Sequence, residues 1–299
     1  MTNSKPNFLI VGAAKAGTTA LYYYLKQHVD IGFPDLKEPK YFSSSKLNLP
    51  HNGIGDHSVD KYAVKDWTEY LNLFKGLSSY KRIGEASPDY LFYHRETAGL
   101  IKETLGDIPI IIILRNPIKR AFSAYMYLKR DSREPLSFRE GLDAEEDRLN
   151  DNWDFIWGYK KGGLYSEQVK TFLNTFTNVK VILQEELKTD TKRVIKEVYS
   201  FLNVNPNFTT DTSVEHNPSG TPKNILAKFL LNRNNKLATT TREFLKSIIP
   251  RRILEKIASR SLEKKSISKP NQELLKNYFE DDIAKLGVLL NRDLTKWGD

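Results

Sequence analysis

Hydrophobic positions along the chain form short β-branched runs that alternate with longer segments of helical spacing. Such runs are typical of strands buried on both faces of a parallel sheet. The segments with this character are Phe8–Gly12 (FLIVG), 82–85 (RIGE), Ile110–Leu114 (IIIIL) and 179–184 (VKVILQ). Because helical patterns separate them, the sequence predicts an α/β fold with a central parallel sheet.

Apolar residues three and four positions apart predict the helices that cover this sheet. The first would span residues 18–28, with Thr18 and Thr19 as capping residues. Others are predicted over 66–75, 118–130, 166–176, 192–202, 224–231, 241–262 and 271–286. Residues 205–223 hold three prolines and are predicted to form a long functional loop. No repeat or linker divides the chain, so we predict one domain over 1–299, with 224–299 as a mostly helical extension.

The stretch VGAAKAGTTAL, residues 11–21, links the first predicted strand to the first helix. Gly12, Gly17 and Thr19 have the spacing of the phosphate loop G-x-x-x-x-G-K-[ST], but the lysine, Lys15, lies inside the loop. A glycine turn between a strand and a helix directs several backbone N–H groups at one point, where the helix dipole also favours an anion. The loop therefore predicts a phosphate site, although ordinary strand-to-helix turns also use glycine.

A second motif, RNPIKRAFSAYMY at 115–127, follows the run of isoleucines. Arg115 lies where a buried strand ends, which is where open α/β sheets bind ligands. Asn116 and Pro117 turn the chain into a helix that presents Ser123 about two turns later. Arginine suits bidentate phosphate recognition, so we predict a second phosphate contact here; pairing of Arg115 with a surface acid is the alternative.

Together the two motifs resemble those of the PAPS-dependent sulfotransferases, whose sulfuryl donor is 3′-phosphoadenosine-5′-phosphosulfate (PAPS). The resemblance implies a three-layer α/β/α fold containing a phosphate loop. It also implies that Arg115 and Ser123 hold the 3′-phosphate. The residues that would cradle the 5′-phosphosulfate are Lys15, Ala16, Gly17, Thr18 and Thr19.

The resemblance extends over nearly the whole chain, through KEPKYF, GEASPDYL, GLYSEQVKTFL, HNPSGTPKN and GVLLNRDLTKW. KEPKYF resembles the segment that carries the catalytic glutamate of the glycan-type branch, which implies that Glu38 is the general base. HNPSGTPKN resembles the segment that closes over the nucleotide, which implies contacts from Gly220, Thr221 and Lys223.

The reaction that the resemblance implies is in-line transfer to an acceptor hydroxyl. Glu38 would take the proton, and Lys15 would stabilise the leaving phosphate. The family needs no metal. The histidine base of the small-molecule branch has no counterpart after the third strand, which favours Glu38 as the base. The acceptor implied is a hydroxyl group, expected to belong to a sugar or glycoconjugate. Ala86 stands where glycosaminoglycan enzymes often have lysine, which argues against a heparan-type acceptor.

The net charge of +9 indicates anionic partners, and much of the excess lies in residues 223–269. That region is predicted to be a solvated helical face, with contact to an anionic membrane or an acidic acceptor as the alternative. No nucleic-acid-binding motif is present.

The absence of cysteines excludes disulfides and thiolate chemistry. No apolar run has the roughly 20 residues of a membrane span, and without a secretory signal the chain is predicted to be cytoplasmic.

Aromatic residues and histidines outside these motifs give weaker signals. Trp153, Trp157 and Tyr159 suit either an acceptor cleft or inward packing. Histidines 51, 57 and 94 lack metal-ligand spacing and are predicted to be surface or core residues.

Two other functions fit the phosphate loop. One is an ATP-dependent kinase with a displaced lysine, which would need magnesium. The other is a basic membrane- or partner-binding protein on a nucleotide-binding fold.

Overall fold

The structure is a computed structural model that describes residues 4–44, 47–213, 221–222, 262–263 and 265–298. Its main sheet has five parallel strands in the order β2-β3-β1-β4-β5. These strands are β1 Phe8–Gly12, β2 Ile31–Gly32, β3 Arg82–Ala86, β4 Ile110–Leu114 and β5 Val179–Leu183. Every residue of β1 and β4 is buried, because helices cover both faces of the sheet. The predicted α/β fold is therefore confirmed.

Helices connect the strands and form the outer layers. They are α1 Thr18–Leu25, α2 Tyr41–Ser44, α3 His57–Asp60, α4 Trp67–Asn72, α5 Asp89–Phe92, α6 His94–Leu105, α7 Pro117–Arg130, α8 Phe138–Asp143, α9 Glu145–Asn150, α10 Tyr165–Thr175, α11 Gln184–Thr189, α12 Thr191–Phe201 and α13 Lys269–Leu290. Helices α1 and α12 contact each other, while α10 packs against α6 and α13.

The predicted helices that fall on described residues all exist, with ends that differ by a few residues. The predicted caps of α1 are wrong. Gly17 is the N-cap, in a left-handed conformation (φ 113°), and no side-chain hydrogen bond caps it. The predicted strand over 179–184 ends at Leu183, because Gln184 begins α11. Strand β2, which the sequence did not predict, has only two residues and too little pattern to detect.

The late part of the chain is described only in pieces. A second, two-stranded antiparallel sheet pairs β6 Thr221–Pro222 with β7 Leu262–Glu263. The predicted helix over 224–231 lies outside the described residues, as does that over 241–262 apart from residue 262. Residues 205–213 of the predicted loop contain no helix or strand. Among the described helices, none is both long and apolar enough to cross a membrane.

The order of the strands determines where a ligand can bind. The chain adds β2 and β3 on one side of β1, and β4 and β5 on the other. The loops that follow β1 and β4 therefore diverge and leave a crevice at the carboxyl edge of the sheet. The register between these two strands also shifts from Ile10↔Ile111 to Gly12↔Ile112, immediately before the first loop.

We expect Gly84→Ala to lower the free energy of unfolding by about 1–3 kcal/mol, because a Cβ on β3 would overlap the rings of Phe8 and Phe33. Urea denaturation measures this change. Gly99→Ala is the matched control, since nothing lies near a Cβ at that exposed position of α6, and it should stabilise the fold by about 0.5–1 kcal/mol. Equal effects of the two substitutions would contradict the packing at Gly84.

Candidate active site

A cavity of about 740 Å³ occupies the crevice at the carboxyl edge of the sheet. Most of the predicted site residues line it: Lys15, Gly17, Thr18, Thr19, Glu38, Arg115 and Ser123. Ala16 is fully buried beneath the loop. Thr221 lies in β6, and Gly220 and Lys223 lie outside the described residues. The structure thus brings together residues from three separate segments of the chain.

The loop after β1, predicted to bind phosphate, has a left-handed backbone at two positions. Gly17 has φ 113° and Lys15 has φ 68°, so the chain takes two left-handed steps before α1 begins. These steps aim backbone N–H groups and the amino end of α1 into the cavity. A Cβ at Gly17 would lie 3.3 Å from Ile113 Cδ1, so the glycine serves both the conformation and the packing.

Arg115 connects this loop to the end of β4. Its Nη1 donates a hydrogen bond to the Lys15 carbonyl oxygen (3.1 Å), and the Tyr165 hydroxyl donates one to the Arg115 carbonyl oxygen (3.0 Å). Burial lowers the pKa of Arg115, although its guanidinium stays charged. Ser123 is 6% exposed and faces the same cavity from α7. The two phosphate motifs are therefore in direct contact.

The amino end of α7, next to Arg115, is held from two sides. The Asn116 side chain accepts a hydrogen bond from Lys119 N (3.1 Å) and so caps the helix. The same side chain donates to the Trp297 carbonyl oxygen (2.9 Å). The segment after α13 thus fixes the turn that positions Arg115, a contact that sequence reasoning missed.

Lys15 lies in an unfavourable environment for an ammonium group. Burial, followed by the charge of Arg130, lowers its pKa to about 7, while Arg115 acts in the same direction and Asp131 and Glu38 oppose it. The Lys15 Nζ lies 4.1 Å from the centre of the Tyr127 ring. An anion that entered the cavity would favour the charged form of Lys15.

Glu38 lines the same cavity as Lys15 and lies in the segment between β2 and α2. It has a left-handed backbone (φ 62°) and forms an ion pair with Lys37. Burial acts to raise the pKa of the Glu38 carboxyl, but the charges of Lys37, Lys40 and Lys15 outweigh it and hold the pKa below its usual value. Glu38 is therefore an ionised carboxylate that could accept a proton.

A buried ion pair lines the same end of the cavity as Glu38. Lys40 Nζ lies 3.1 Å from Asp154 Oδ2, and Asp154 Oδ1 accepts a hydrogen bond from Ile156 N (3.0 Å). Asp154 therefore fixes the turn that places Phe155 and Ile156 in the cavity wall. Sequence reasoning missed this pair, since its members lie in distant segments.

The aromatic residues of NDNWDFIWGYKKGG were predicted either to line a cleft or to pack inward. Trp157 and Tyr159 are fully buried, so the cleft interpretation is wrong for them. Trp153 packs its ring against Trp157, 4.7 Å between centres. Their neighbours Phe155 and Ile156, in the short 3₁₀ turn Phe155–Trp157, line the cavity instead.

His51, predicted to be a surface or core residue, is buried beside two carboxylates. Its Nδ1 lies 2.7 Å from Asp60 Oδ1 and 3.9 Å from Asp154 Oδ2. Such a set could coordinate a cation, but the Lys40 ammonium already lies against Asp154. We interpret the group as a charge-balanced structural network.

Comparison with known proteins identifies the family. The model of the sulfotransferase domain family matches residues 5–284, so the chain belongs to this family. The solved sulfotransferase from Alicyclobacillus acidocaldarius is 36% identical, covers 99% of this chain and 100% of its own, and superposes with a TM-score of 0.79. The resemblance inferred from the two motifs is thereby confirmed.

Curated relatives match over part of their length. The membrane-associated sulfotransferase kil1 of Dictyostelium discoideum is 34% identical over 137 residues, which are 44% of this chain and 26% of the relative. Carbohydrate sulfotransferase 15 of Mus musculus is 24% identical over 67% of this chain and 44% of its own. The chain thus spans less than half the length of these relatives.

The lowered pKa of Lys15 can be measured by NMR titration of the ¹³C-labelled lysine side chains. We expect the ligand-free protein to hold the Lys15 ammonium below pH about 7 and to lose that charge as the pH rises through this value. Arg130→Gln should raise the pKa of Lys15, because it removes a nearby like charge. Lys119→Gln, on an exposed turn of the same helix, is the control. A Lys15 that titrates near 10.5 would contradict this account of the site.

Proposed function

We propose that the protein transfers the sulfuryl group of PAPS to the hydroxyl group of a sugar or glycoconjugate. The observation that carries the proposal is the hydrogen bond between the two phosphate motifs, Arg115 Nη1 to Lys15 O, in a cavity that also contains the Glu38 carboxylate. Membership of the sulfotransferase family supports PAPS as the donor, and the carbohydrate sulfotransferase among the relatives supports the acceptor class.

The donor is proposed to lie across the loops after β1 and β4. Its 5′-phosphosulfate would accept hydrogen bonds from the N–H groups at the start of α1, beside Thr18 and Thr19. Arg115 and Ser123 would hold the 3′-phosphate, since a guanidinium and a hydroxyl together supply donors to several phosphate oxygens. Contacts from residues 220, 221 and 223 to the nucleotide remain part of the proposal.

In the proposed reaction the acceptor oxygen attacks the sulfur atom opposite the bridging oxygen of the donor. A new S–O bond forms as the bond from sulfur to the 5′-phosphate oxygen breaks. The acceptor proton passes to Glu38, and 3′-phosphoadenosine-5′-phosphate (PAP) leaves with the electron pair. Lys15 stabilises the negative charge that develops on the bridging oxygen. The proposal includes no metal ion.

The acceptor would enter from the side of the cavity that holds Glu38. This side is lined by apolar and aromatic groups, among them Val59, Tyr62 and Phe155, together with the Lys40–Asp154 pair. Tyr62 is half-exposed at this wall, and sugars stack on such rings.

Turnover of ³⁵S-labelled PAPS tests both the activity and the acceptor class. The assay screens hydroxyl-bearing glycans, lipids and small molecules in the presence of EDTA.

Removal of the proposed base should separate binding from transfer. We expect Glu38→Gln to lower kcat by about 10²–10⁴-fold, while the Kd for PAP changes less than about twofold, because the amide cannot accept the proton. Calorimetry with PAP and transfer from labelled PAPS measure the two effects. Glu69→Gln, outside the cavity, is the control. Transfer at the wild-type rate by Glu38→Gln would show that another group is the base.

Removal of the proposed 3′-phosphate ligand should weaken donor binding. We expect Arg115→Ala to raise the Kd for PAP by about 10–100-fold, since charge-assisted hydrogen bonds of about 1.5–3 kcal/mol are lost. Adenosine 5′-monophosphate, which lacks the 3′-phosphate, should lose less affinity, because for this ligand the substitution removes only the hydrogen bond from Arg115 to the Lys15 carbonyl oxygen. Lys119→Ala controls for net charge. Hydrolysis of ATP with magnesium, without use of PAPS, would instead identify a kinase-like enzyme.

A further inference from the structure

One stripe of α7 supplies several of the side chains that line the cavity. Ser123, Tyr127 and Arg130 are spaced as i, i+4 and i+7, so they lie on one face of the helix. All three line the cavity. Ser123 lies at the end proposed for the 3′-phosphate, and neither Tyr127 nor Arg130 has a role in the reaction described above.

The Tyr127 ring contacts two cations that come from different parts of the fold. Lys15 Nζ lies 4.1 Å from the ring centre, and Arg130 Cζ lies 5.0 Å from it. Both distances fall inside the range of about 6 Å over which the electron-rich face of an aromatic ring attracts a cation.

The ring offsets a repulsion between these two cations. Arg130 is the charge that lowers the pKa of Lys15 most strongly, after the effect of burial. Asp131, which forms an ion pair with Arg130 (Nε to Oδ1, 3.0 Å), and the ring face near both cations offset this repulsion in the ligand-free cavity. The other charged groups around Lys15 are Asp131, on the segment after α7, Glu38, before α2, and Arg115, after β4.

Unlike a carboxylate, the ring does not compete with an incoming phosphate for the Lys15 ammonium. In the described part of the chain, Lys15 Nζ forms no hydrogen bond or salt bridge with a side chain. A carboxylate in contact with Lys15 would neutralise its charge and compete with an incoming phosphate. A ring orients the ammonium and leaves its full charge and its N–H donors free for the ligand.

We propose that Tyr127 is a positioning residue whose ring holds Lys15 towards the leaving phosphate. This inference rests on the proposed function, because the anion that Lys15 would meet is the 5′-phosphate of the nucleotide. Tyr127 acts through Lys15, so its effect depends on the presence of that lysine.

A double-mutant cycle on PAP binding tests this dependence without an acceptor. Calorimetry gives the Kd of PAP for the wild type, Tyr127→Leu, Lys15→Ala and the double variant. We expect Tyr127→Leu alone to raise the Kd by about tenfold, and to raise it less than about threefold when Lys15 is already alanine. Tyr127→Phe should stay within about twofold of the wild type, because it keeps the ring.

The controls separate this role from a general loss of structure. The Tm of Tyr127→Leu shows whether that variant folds. Tyr127→Met, a flexible apolar replacement, takes its place if it does not, and we expect the same rise in the Kd. Tyr278→Leu removes another ring below a cation, with Lys160 Nζ 5.6 Å away, outside the cavity, and should leave the Kd unchanged.

The outcomes of the cycle also distinguish the two proposals. Equal losses from Tyr127→Leu with and without Lys15, or no loss at all, would overturn the role of the ring while the donor assignment stands. A wild-type protein that binds no PAP would overturn the proposed function and this inference together.

Discussion

The hydrogen bond from Arg115 to the carbonyl oxygen of Lys15 joins the two loops on which the cavity depends. The reversal of strand order separates these loops, and without a link each could adopt its own position. Arg115 is in turn fixed through its own carbonyl by Tyr165. The left-handed Lys15 is therefore held at its carbonyl by a group from the neighbouring strand, and its side chain lies inside the cavity.

The concentration of cations around this hydrogen bond raises the free energy of the ligand-free protein. Burial and mutual repulsion lower the pKa of Lys15 to about 7, and burial lowers that of Arg115. A bound anion reverses this balance, because each negative charge favours the charged form of the basic groups around it. The charges of Lys37, Lys40 and Lys15 keep Glu38 ionised. One arrangement of charges thus favours an anionic ligand and also maintains a carboxylate that can act as a base.

The sequence predicted the fold well where burial is complete, as in β1 and β4, whose apolar runs match the strands residue for residue. It failed at the start of α1, where the backbone freedom of Gly17 replaced a threonine cap. Motifs identified the site residues that follow strands, such as Arg115. They missed Tyr127 and Arg130, although the helical spacing from Ser123 was a usable signal. The Lys40–Asp154 pair depends on packing between distant segments, which no local pattern records.

The ion pair between Glu38 and Lys37 imposes a constraint on the proposed reaction. A carboxylate with a lowered pKa is a weak base, so it does not remove the proton of a free hydroxyl group to a significant extent. As the acceptor oxygen bonds to sulfur, however, its proton becomes strongly acidic, and a weak base then suffices. Proton transfer would therefore accompany or follow formation of the S–O bond. The reaction then requires Glu38 near the attacking oxygen and Lys15 near the departing one, and both side chains line the same cavity.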